Sequence, residues 1–241
     1  MAEIIHDVVF LVDVDNTLLD NDRIIADLRD HLAQAFGKEC SDRYWTLFEQ
    51  LRSELGYADY LGALQRYRQD MEGQGAHAQA LLQMSGFLVD YPFQDRVFPG
   101  ALDALARMNE LGPTVILSDG DVVFQPRKIQ RSGLWRAVDG RVLIYVHKEQ
   151  MLDEVRRTFA ARHYAMVDDK PRILGALKAA WGDGVTTVFP RQGHYALDAR
   201  EVAKYPAADV VVDHIGDLSR TNIAAWIPLP GAAHESHAAT P

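Results

Sequence analysis

Polar residues with chemically useful side chains directly follow four short apolar runs in this sequence. The runs cover residues 8–12, 114–117, 142–146 and 164–167. The polar residues that come after them are Asp13 and Asp15, Ser118 and Asp119, Lys148, and Asp168 and Asp169. If the runs are neighbouring parallel strands, their carboxyl ends meet at one edge of a sheet, where such folds bind ligands. We therefore expect carboxylates, a hydroxyl and an ammonium group to share one site.

Several carboxylates at one edge repel one another unless some are protonated or a cation lies among them. Mg²⁺ prefers oxygen ligands, and Asp13, Asp168 and Asp169 are the candidates to supply them. The metal and Lys148 would also offset the repulsion between a carboxylate nucleophile and an incoming phosphate dianion. The sequence thus indicates a Mg²⁺-dependent site that handles an anionic substrate.

The spacing of Asp13 and Asp15 suits two carboxylates that share the work of one reaction. Residues two apart in a strand point to the same side of the sheet. Over one substrate, one carboxylate can attack phosphorus, while the other protonates the leaving oxygen and later activates water. This pattern favours hydrolysis through an aspartyl-phosphate.

These residues need a sheet that holds the ends of the runs together. Further β-branched runs cover residues 185–189 and 210–212, and helical patterns such as 149–162 and 171–181 separate most of the runs. Alternation of strands and helices is typical of a parallel sheet that is covered on both faces. We predict an α/β fold, a doubly wound parallel sheet of the Rossmann-like kind.

A long region without strand signals interrupts this alternation. Apolar residues recur at helical spacing from residue 21 to residue 91, which predicts an inserted α-helical cap. The α/β core would then comprise residues 1–20 and 92–220. The last segment, 221–241, has no clear period and is predicted to be a C-terminal tail.

Composition and charge argue against several other classes of protein. The net charge of −9 is spread along the chain without a basic stripe, so we expect no nucleic acid partner. The single cysteine, Cys40, cannot form an internal disulfide. The N-terminal apolar run is too short to span a membrane or to form the core of a signal peptide. We expect a cytoplasmic protein without a membrane partner, whose oligomeric state the sequence leaves open.

The polar residues at the ends of the runs resemble the four motifs of the haloacid dehalogenase superfamily. Residues 13–17, Asp-Val-Asp-Asn-Thr, are similar to its first motif, and Ser118 is similar to its second. Lys148 is similar to the third motif, and the pair Asp168-Asp169 to the fourth. Order, placement after strands and spacing agree over about residues 1–20 and 92–215. The insertion resembles a helical cap by its position more than by its sequence.

The resemblance implies a role for each of these residues. Asp13 would be the nucleophile, and Asp15 would act as acid and base. Ser118 and the main-chain amide of Asp119 would bind the phosphoryl oxygens, and Lys148 would steady both the nucleophile and the phosphate. The resemblance therefore implies a phosphatase that hydrolyses a small phosphorylated metabolite.

The resemblance also implies a set of Mg²⁺ ligands. They would be Asp13, the main-chain carbonyl of Asp15, Asp168 and Asp169. Asp169 is favoured as the direct ligand and Asp168 as one that acts through water. Many members carry another acid about four residues further on, where this chain has Arg172 or Ile173.

Several alternatives stay open on the same residues. A haloacid dehalogenase would use the same nucleophile but would need neither the second acid nor a metal, and a phosphomutase or phosphonatase would differ in the cap. A non-catalytic protein that binds a phosphorylated ligand would keep the core without turnover. Lys170 is either a second charge beside the phosphate or a surface lysine. Arg191, His194 and Tyr195 follow the run 185–189 and would face the site from a loop or serve as structural residues.

Overall fold

A parallel sheet of six strands organises the part of the chain that is described. The computed structural model describes residues 4–71 and 78–227. The strands are β1 (His6–Val12), β2 (Thr114–Asp119), β3 (Val142–Tyr145), β4 (Ala161–Val167), β5 (Val185–Pro190) and β6 (Val210–Val212). Their order across the sheet is β3-β2-β1-β4-β5-β6, and each neighbouring pair is parallel. The predicted α/β fold with a doubly wound parallel sheet is confirmed.

Helices connect the strands and cover both faces of the sheet. The first four are α1 (Asn21–Phe36), α2 (Lys38–Leu55), α3 (Tyr60–Asp70) and α4 (Ala78–Asp90). The others are α5 (Ala101–Leu111), α6 (Phe124–Arg131), α7 (Leu134–Ala137), α8 (Leu152–Thr158), α9 (Pro171–Trp181), α10 (Gly193–Leu197) and α11 (Ala199–Val202). Among the described residues, no helix combines the length and the apolar character that a bilayer crossing requires.

Strand β1 lies at the centre of the sheet and is apolar on both sides. Val8, Phe10 and Val12 pack into the core on one face, whereas Val9 and Leu11 pack into the core on the other. This alternation follows from the period of two along a strand. A strand buried on both faces needs no polar side chain until it ends, which places the first polar residue, Asp13, at the edge of the sheet.

Helices α1–α4 pack around an aromatic core of their own, which includes Tyr44, Trp45, Phe48 and Tyr60. Side chains of the chain itself cap two of the helices. Asp20 accepts a hydrogen bond from the amide of Arg23 at the start of α1, and Asp59 does the same for α3. These helices fall within residues 21–91, the stretch predicted as a cap, and its status as a separate domain stays a prediction.

The structure differs from the sequence pattern after β3. The predicted helix over 149–162 is shorter, because a 3₁₀ turn at Lys148–Gln150 precedes α8 and β4 already begins at Ala161. Ala161 and His163 pair with β1, so ladder hydrogen bonds replace helical ones at this point. At the other end of the chain, Ile223 and Ile227 are buried against the sheet, although they belong to the predicted tail. Residues 228–241 of that tail lie outside the described part.

Candidate active site

Four polar side chains meet at the carboxyl ends of the strands. Val12 is paired with both Ile116 and Val167, so the residues that follow β1, β2 and β4 lie side by side. We call Asp13, Lys148, Asp168 and Asp169 the strand-end cluster. Each of these four side chains is at most 1% exposed to solvent. The predicted site residues are therefore brought together at one edge of the sheet.

Lys148 lies at the centre of the strand-end cluster. Its ammonium nitrogen is 2.5 Å from Oδ1 of Asp13 and 2.7 Å from Oδ2 of Asp168. The ammonium also donates to the carbonyl oxygen of Leu117 at 3.2 Å. Burial acts to lower the pKa of Lys148, but the negative charges of Asp13, Asp168 and Asp119 outweigh it and raise the pKa above its ordinary value. Lys148 therefore stays charged and holds Asp13 in place.

Asp168 and Asp169 lie beside Asp13, and one oxygen from each of the three carboxylates lies within 4.8 Å of the others. Among the described residues, neither oxygen of Asp169 nor Oδ2 of Asp13 accepts a hydrogen bond. Burial raises the pKa of Asp168 to about 6, and it raises the pKa of Asp169 well above its ordinary value. Buried carboxylate oxygens without donors fit a hard divalent cation, which would favour their ionised forms.

Ser118 and Asp119 lie at the end of β2, next to Asp13. Ser118 Oγ accepts a hydrogen bond of 2.9 Å from Nε2 of Gln125, and Asp119 Oδ1 accepts one of 2.8 Å from the amide of Lys148. Gly120 follows with a φ of 155°. A Cβ at Gly120 would lie 2.8 Å from Cβ of Gln125, so the close approach of Gln125 to Ser118 requires glycine here.

Asp15 is held by a lysine that the sequence analysis missed. The ammonium of Lys128, on α6, lies 2.5 Å from Oδ1 of Asp15 and 3.2 Å from Oδ1 of Asn21. Gln125, one turn earlier on the same helix, approaches Oδ2 of Asp15 to 3.4 Å. Lys128 is only 1% exposed. The available signal was the spacing of three residues between Gln125 and Lys128, which puts both on one helix face just after Ser118 and Asp119.

Gln192, also missed from the sequence, fastens the loop that follows β1. Its side-chain amide donates to the carbonyl oxygens of Asn16, at 3.1 Å, and Thr17, at 2.7 Å. Asn16 adopts a left-handed φ of 62°, which an asparagine tolerates better than most residues. Thr17 Oγ1 in turn accepts a hydrogen bond of 3.0 Å from the amide of Asp169. These contacts tie the loop after Asp13 to the end of β4.

The structure separates the three loop residues whose roles the sequence left open. Nδ1 of His194 lies 2.6 Å from Oδ1 of Asp22, at the start of α1, and the amide of His194 donates to the same carboxylate. The hydroxyl of Tyr195 accepts a hydrogen bond of 2.7 Å from Arg52 on α2. Arg191 is 60% exposed and lies 3.6 Å from Asp213, away from the strand-end cluster. His194 and Tyr195 thus join the core to α1 and α2.

A cavity of about 270 Å³ lies between the strand ends and the first helices. On the sheet side, its lining includes Asp15, Asp119 and Lys170. Lys170 forms no ion pair with the described residues, and its ammonium lies 5.9 Å from the ring centroid of Tyr195. Burial acts to lower the pKa of Lys170, but the nearby carboxylates of Asp13, Asp169 and Asp168 raise it. Lys170 therefore offers a positive charge to the cavity.

The chemical capacity of this site follows from its contacts. Asp13 carries a carboxylate oxygen with no hydrogen-bond donor and is fixed by Lys148, as a nucleophile requires. Asp15 lines the cavity and is 25% exposed, so it can exchange a proton with a bound molecule. Arg172 stands where the sequence suggested a missing acid, and it pairs with Glu149 at 2.5 Å.

Comparisons with known proteins point in one direction. A model of the haloacid dehalogenase-like hydrolases matches residues 8–180 of the chain. A solved structure from Burkholderia xenovorans LB400, described as a haloacid dehalogenase-like hydrolase, is 64% identical and has a TM-score of 0.84. The alignment covers 90% of this chain and 99% of that one. Among proteins with curated descriptions, none matches.

More distant structures share the fold alone. L-2-haloacid dehalogenase from Xanthobacter autotrophicus, solved with chloropropionic acid covalently bound, is 21% identical with a TM-score of 0.54, and 90% of this chain and 98% of that one are covered. A haloacid dehalogenase-type hydrolase from Bacillus subtilis, bound to magnesium, is 15% identical with a TM-score of 0.56. The alignment with that structure covers 89% of this chain and 98% of the Bacillus subtilis chain.

Proposed function

The chain belongs to the haloacid dehalogenase-like hydrolases, and from this premise we propose that it is a Mg²⁺-dependent phosphomonoester hydrolase with Asp13 as its nucleophile. One observation carries the proposal. Two acids stand two residues apart, and each is paired with a lysine, Asp13 with Lys148 and Asp15 with Lys128. They adjoin a buried group of carboxylates in which Oδ2 of Asp13 and both oxygens of Asp169 accept no hydrogen bond from the described residues. Transfer of a phosphoryl group needs a nucleophile, a proton donor and positive charge in one place.

In the first half of the reaction, a carboxylate oxygen of Asp13 attacks phosphorus, and the bond between phosphorus and the leaving oxygen breaks. Asp15 gives its proton to that oxygen, so an alcohol leaves. Ser118 Oγ and the amide of Asp119 hold the phosphoryl oxygens. Lys148 offsets the repulsion between Asp13 and the phosphate dianion. The product is an aspartyl-phosphate on Asp13.

In the second half, a water molecule attacks the phosphorus of the aspartyl-phosphate. Asp15, now ionised, takes a proton from that water, and the bond between phosphorus and the Asp13 oxygen breaks. Inorganic phosphate leaves, and both carboxylates return to their starting states. Asp15 thus serves first as an acid and then as a base, as its position on the cavity allows.

The residues of the strand-end cluster fit a bound Mg²⁺. Asp13, the main-chain carbonyl of Asp15, and the pair Asp168-Asp169 would hold it, with Asp169 favoured as the direct ligand because both its oxygens lack donors. When bound, the ion supplies positive charge that stabilises the transferring phosphoryl group. The donor set contains oxygen atoms alone, which suits Mg²⁺ better than a softer metal.

Dehalogenation would use the same nucleophile, but two features of the site favour phosphoryl transfer. A halide leaves as a stable anion, so the first step of a dehalogenation would need no proton donor at the position of Asp15. Three buried carboxylates within reach of one ion are likewise superfluous for attack on carbon. The L-2-haloacid dehalogenases that resemble this chain are at most 22% identical to it, so the similarity concerns the fold and not the reaction.

We further propose a small phosphorylated metabolite as the substrate and the cytoplasm as the site of action. A cavity of about 270 Å³, bounded by helices on one side and strand ends on the other, suits a small molecule. The chain carries a net charge of −9, which disfavours nucleic acid and anionic membrane surfaces.

The test is hydrolysis of 4-nitrophenyl phosphate by the purified protein. We expect turnover with Mg²⁺, its loss in EDTA and its return when Mg²⁺ is added back. The variant Asp13→Asn should lose activity by about 10³-fold or more, because no group replaces the nucleophile. Asp103→Asn, an exposed residue on α5, is the matched control and should behave as the wild type.

Two results would overturn this proposal. Full activity in Asp13→Asn would show that Asp13 is not the nucleophile. Chloride release from 2-chloropropionate in the presence of EDTA, without hydrolysis of any phosphate ester, would establish dehalogenation instead. Both assays use the same protein preparation, so activity in one assay shows that a negative result in the other is not due to inactive protein.

A further inference from the structure

Two arginines face the strand ends from the opposite side of the cavity. Arg29 lies on α1 and Arg52 on α2, and both line the cavity. We call them the arginine pair. The guanidinium of Arg29 lies 4.6 Å from the ring centroid of Trp45 and forms no ion pair with the described residues. Arg52 donates to the hydroxyl of Tyr195 and forms a longer ion pair, of 3.5 Å, with Glu49, whose side chain is 61% exposed.

Other arginines of the same region are neutralised at close range. Arg43 lies 2.5 Å from Asp70, Arg66 lies 2.6 Å from Glu54 and Arg96 lies 2.5 Å from Asp27. Two of these pairs, on Asp70 and Glu54, are bidentate, the geometry that satisfies a guanidinium best. The arginine pair differs because Arg29 has no ion-pair partner among the described residues and the contact of Arg52 with Glu49, at 3.5 Å, is much longer.

Two of the four acids that line the cavity are paired with lysines outside its lining. Asp15 is paired with Lys128 at 2.5 Å, and Glu201 with Lys204 at 2.5 Å. The carboxylate of Asp119 accepts a hydrogen bond from the amide of Lys148. Lys170 adds one more cation without an ion-pair partner among the described residues. The chain has a net charge of −9, yet the lining of this cavity carries as many cationic side chains, Arg29, Arg52, Lys170 and Arg172, as acidic ones.

Apolar surface separates the arginine pair from the strand ends. Phe48 and Tyr60 line the cavity between Arg52 and Asp15, and Trp45 lies under Arg29. A bound molecule would therefore contact Asp15, Asp119 and Lys170 at the strand ends, then aromatic rings, and the guanidinium groups of α1 and α2. Such an order matches a substrate with two anionic ends joined by a carbon skeleton.

We propose that the substrate carries a second anionic group, a carboxylate or a second phosphate, which the arginine pair binds while Asp13 attacks the phosphate ester. This inference rests on the proposed phosphatase activity. The arginine pair then determines which phosphate esters are hydrolysed, and Lys148 and the strand-end cluster carry out the reaction on each of them. Guanidinium groups bind both kinds of anion through charge-assisted hydrogen bonds.

The experiment compares esters that differ in one terminal group. A series of ω-carboxyalkyl phosphates of increasing chain length is assayed by phosphate release, each beside the alkyl phosphate of the same length. At the best length we expect kcat/KM to be about tenfold or more higher for the carboxylated ester. Alkanediol bisphosphates form a second arm, and a larger preference there would identify the second anion as a phosphate.

Variants connect this preference to the arginine pair. Arg29→Gln and Arg52→Gln should each reduce the ratio of kcat/KM between the paired esters, and the double variant should bring it close to unity. Arg43→Gln, on the outer side of α2, is the matched control and should keep the wild-type ratio. A variant that merely loosens the fold lowers both activities together and leaves the ratio unchanged, so the ratio reports recognition.

Two outcomes overturn the inference. A ratio near unity at every chain length would show that no second anion is recognised, and a preference that survives the double variant would place recognition elsewhere. Calorimetric binding of the same ester pairs to the wild type separates this inference from the proposed function. If the anionic esters bind preferentially but no ester is hydrolysed, the phosphatase activity is rejected and the anion site is retained. If the esters are hydrolysed without any preference, the phosphatase activity is retained and the anion site is rejected.

Discussion

The strand-end cluster and the arginine pair differ in how closely their cationic side chains are paired with carboxylates. In the cluster, Lys148 is buried and lies within 2.7 Å of two carboxylates. In the arginine pair, on the other side of the same cavity, Arg29 forms no ion pair among the described residues. Buried ions must be matched because an unpaired charge is costly away from water. Partly exposed ions are solvated by water, so they can remain without an ion-pair partner until a ligand binds.

This difference separates two tasks within one site. A fixed and buried group of charges suits a reaction that is the same for every substrate, since its geometry must not change. Guanidinium groups with no ion pair, as in Arg29, or with a long and exposed one, as in Arg52, suit recognition, because a bound anion can give them a closer partner. The comparison predicts that substitutions in the cluster affect stability and turnover together, whereas substitutions in the arginine pair affect the choice of substrate.

Among substitutions of cationic side chains, the largest effect is expected for Lys148→Met. It leaves the buried carboxylates of Asp13 and Asp168 without their cation, which should lower the free energy of unfolding by about 3–5 kcal/mol. Turnover of 4-nitrophenyl phosphate should fall by about 10²- to 10³-fold, since the positive charge beside the phosphate is lost. Urea unfolding and steady-state kinetics measure the two quantities.

Lys178→Met is the matched control for that variant. Lys178 also pairs with a carboxylate, Asp209 at 2.9 Å, but both side chains are 37% exposed. Its loss should cost no more than about 1 kcal/mol and leave turnover unchanged. Equal losses in the free energy of unfolding for Lys148→Met and Lys178→Met would contradict the comparison. Burial would then not determine how much an ion pair contributes to stability.

Lys128→Met should have a smaller effect, on turnover more than on binding. Lys128 lies behind Asp15 and does not line the cavity, so it holds the acid without touching the substrate. We expect kcat to fall by about tenfold while KM changes by less than about twofold. Arg127→Met, a partly exposed neighbour on α6 that lies 3.5 Å from Asp90, is the control. A rise in KM with an unchanged kcat would contradict a positioning role.

The strand ends could be predicted from the sequence because the necessary signals are local. Val8 to Val12 is an apolar run long enough for a buried strand and no longer, so the polar residue after it marks the edge of the sheet. Three such runs in parallel bring Asp13, Ser118 and Asp168 together without knowledge of any side-chain packing. The spacing of the acids then indicates the chemistry.

Lys128 and Gln192 were missed because their roles depend on packing across the molecule. A lysine on a helix is exposed in most proteins, and the sequence holds no sign that Asp15 lies beneath this one. Gln192 belongs to a loop after β5 and contacts carbonyl oxygens of the loop after β1, far away along the chain. The arginine pair was missed for a related reason: helical spacing predicts which residues are buried but not which helix face meets a cavity.

A carboxylate distant from both regions sharpens the comparison, with the smallest expected effect. Oδ2 of Asp209 accepts hydrogen bonds from the amide and the hydroxyl of Thr187 and lies 2.9 Å from the Lys178 ammonium. Partial burial acts to raise the pKa of Asp209, but these donors outweigh it and lower the pKa. Asp209 thus has the donors that Asp169 lacks, and its ionised form should stabilise the fold without any cation from solution.

The sign of its pH dependence follows from the lowered pKa. An acid whose pKa is lower in the folded state stabilises the protein above its unfolded pKa, and this contribution is lost as the pH falls through the folded value. Asp209→Asn should therefore cost about 1 kcal/mol at pH near 7, and the difference from the wild type should shrink below pH about 4. Mg²⁺ should not alter it. A difference that depends on Mg²⁺ would mean that Asp209 and the strand-end cluster are coupled, and that the two kinds of carboxylate are not independent.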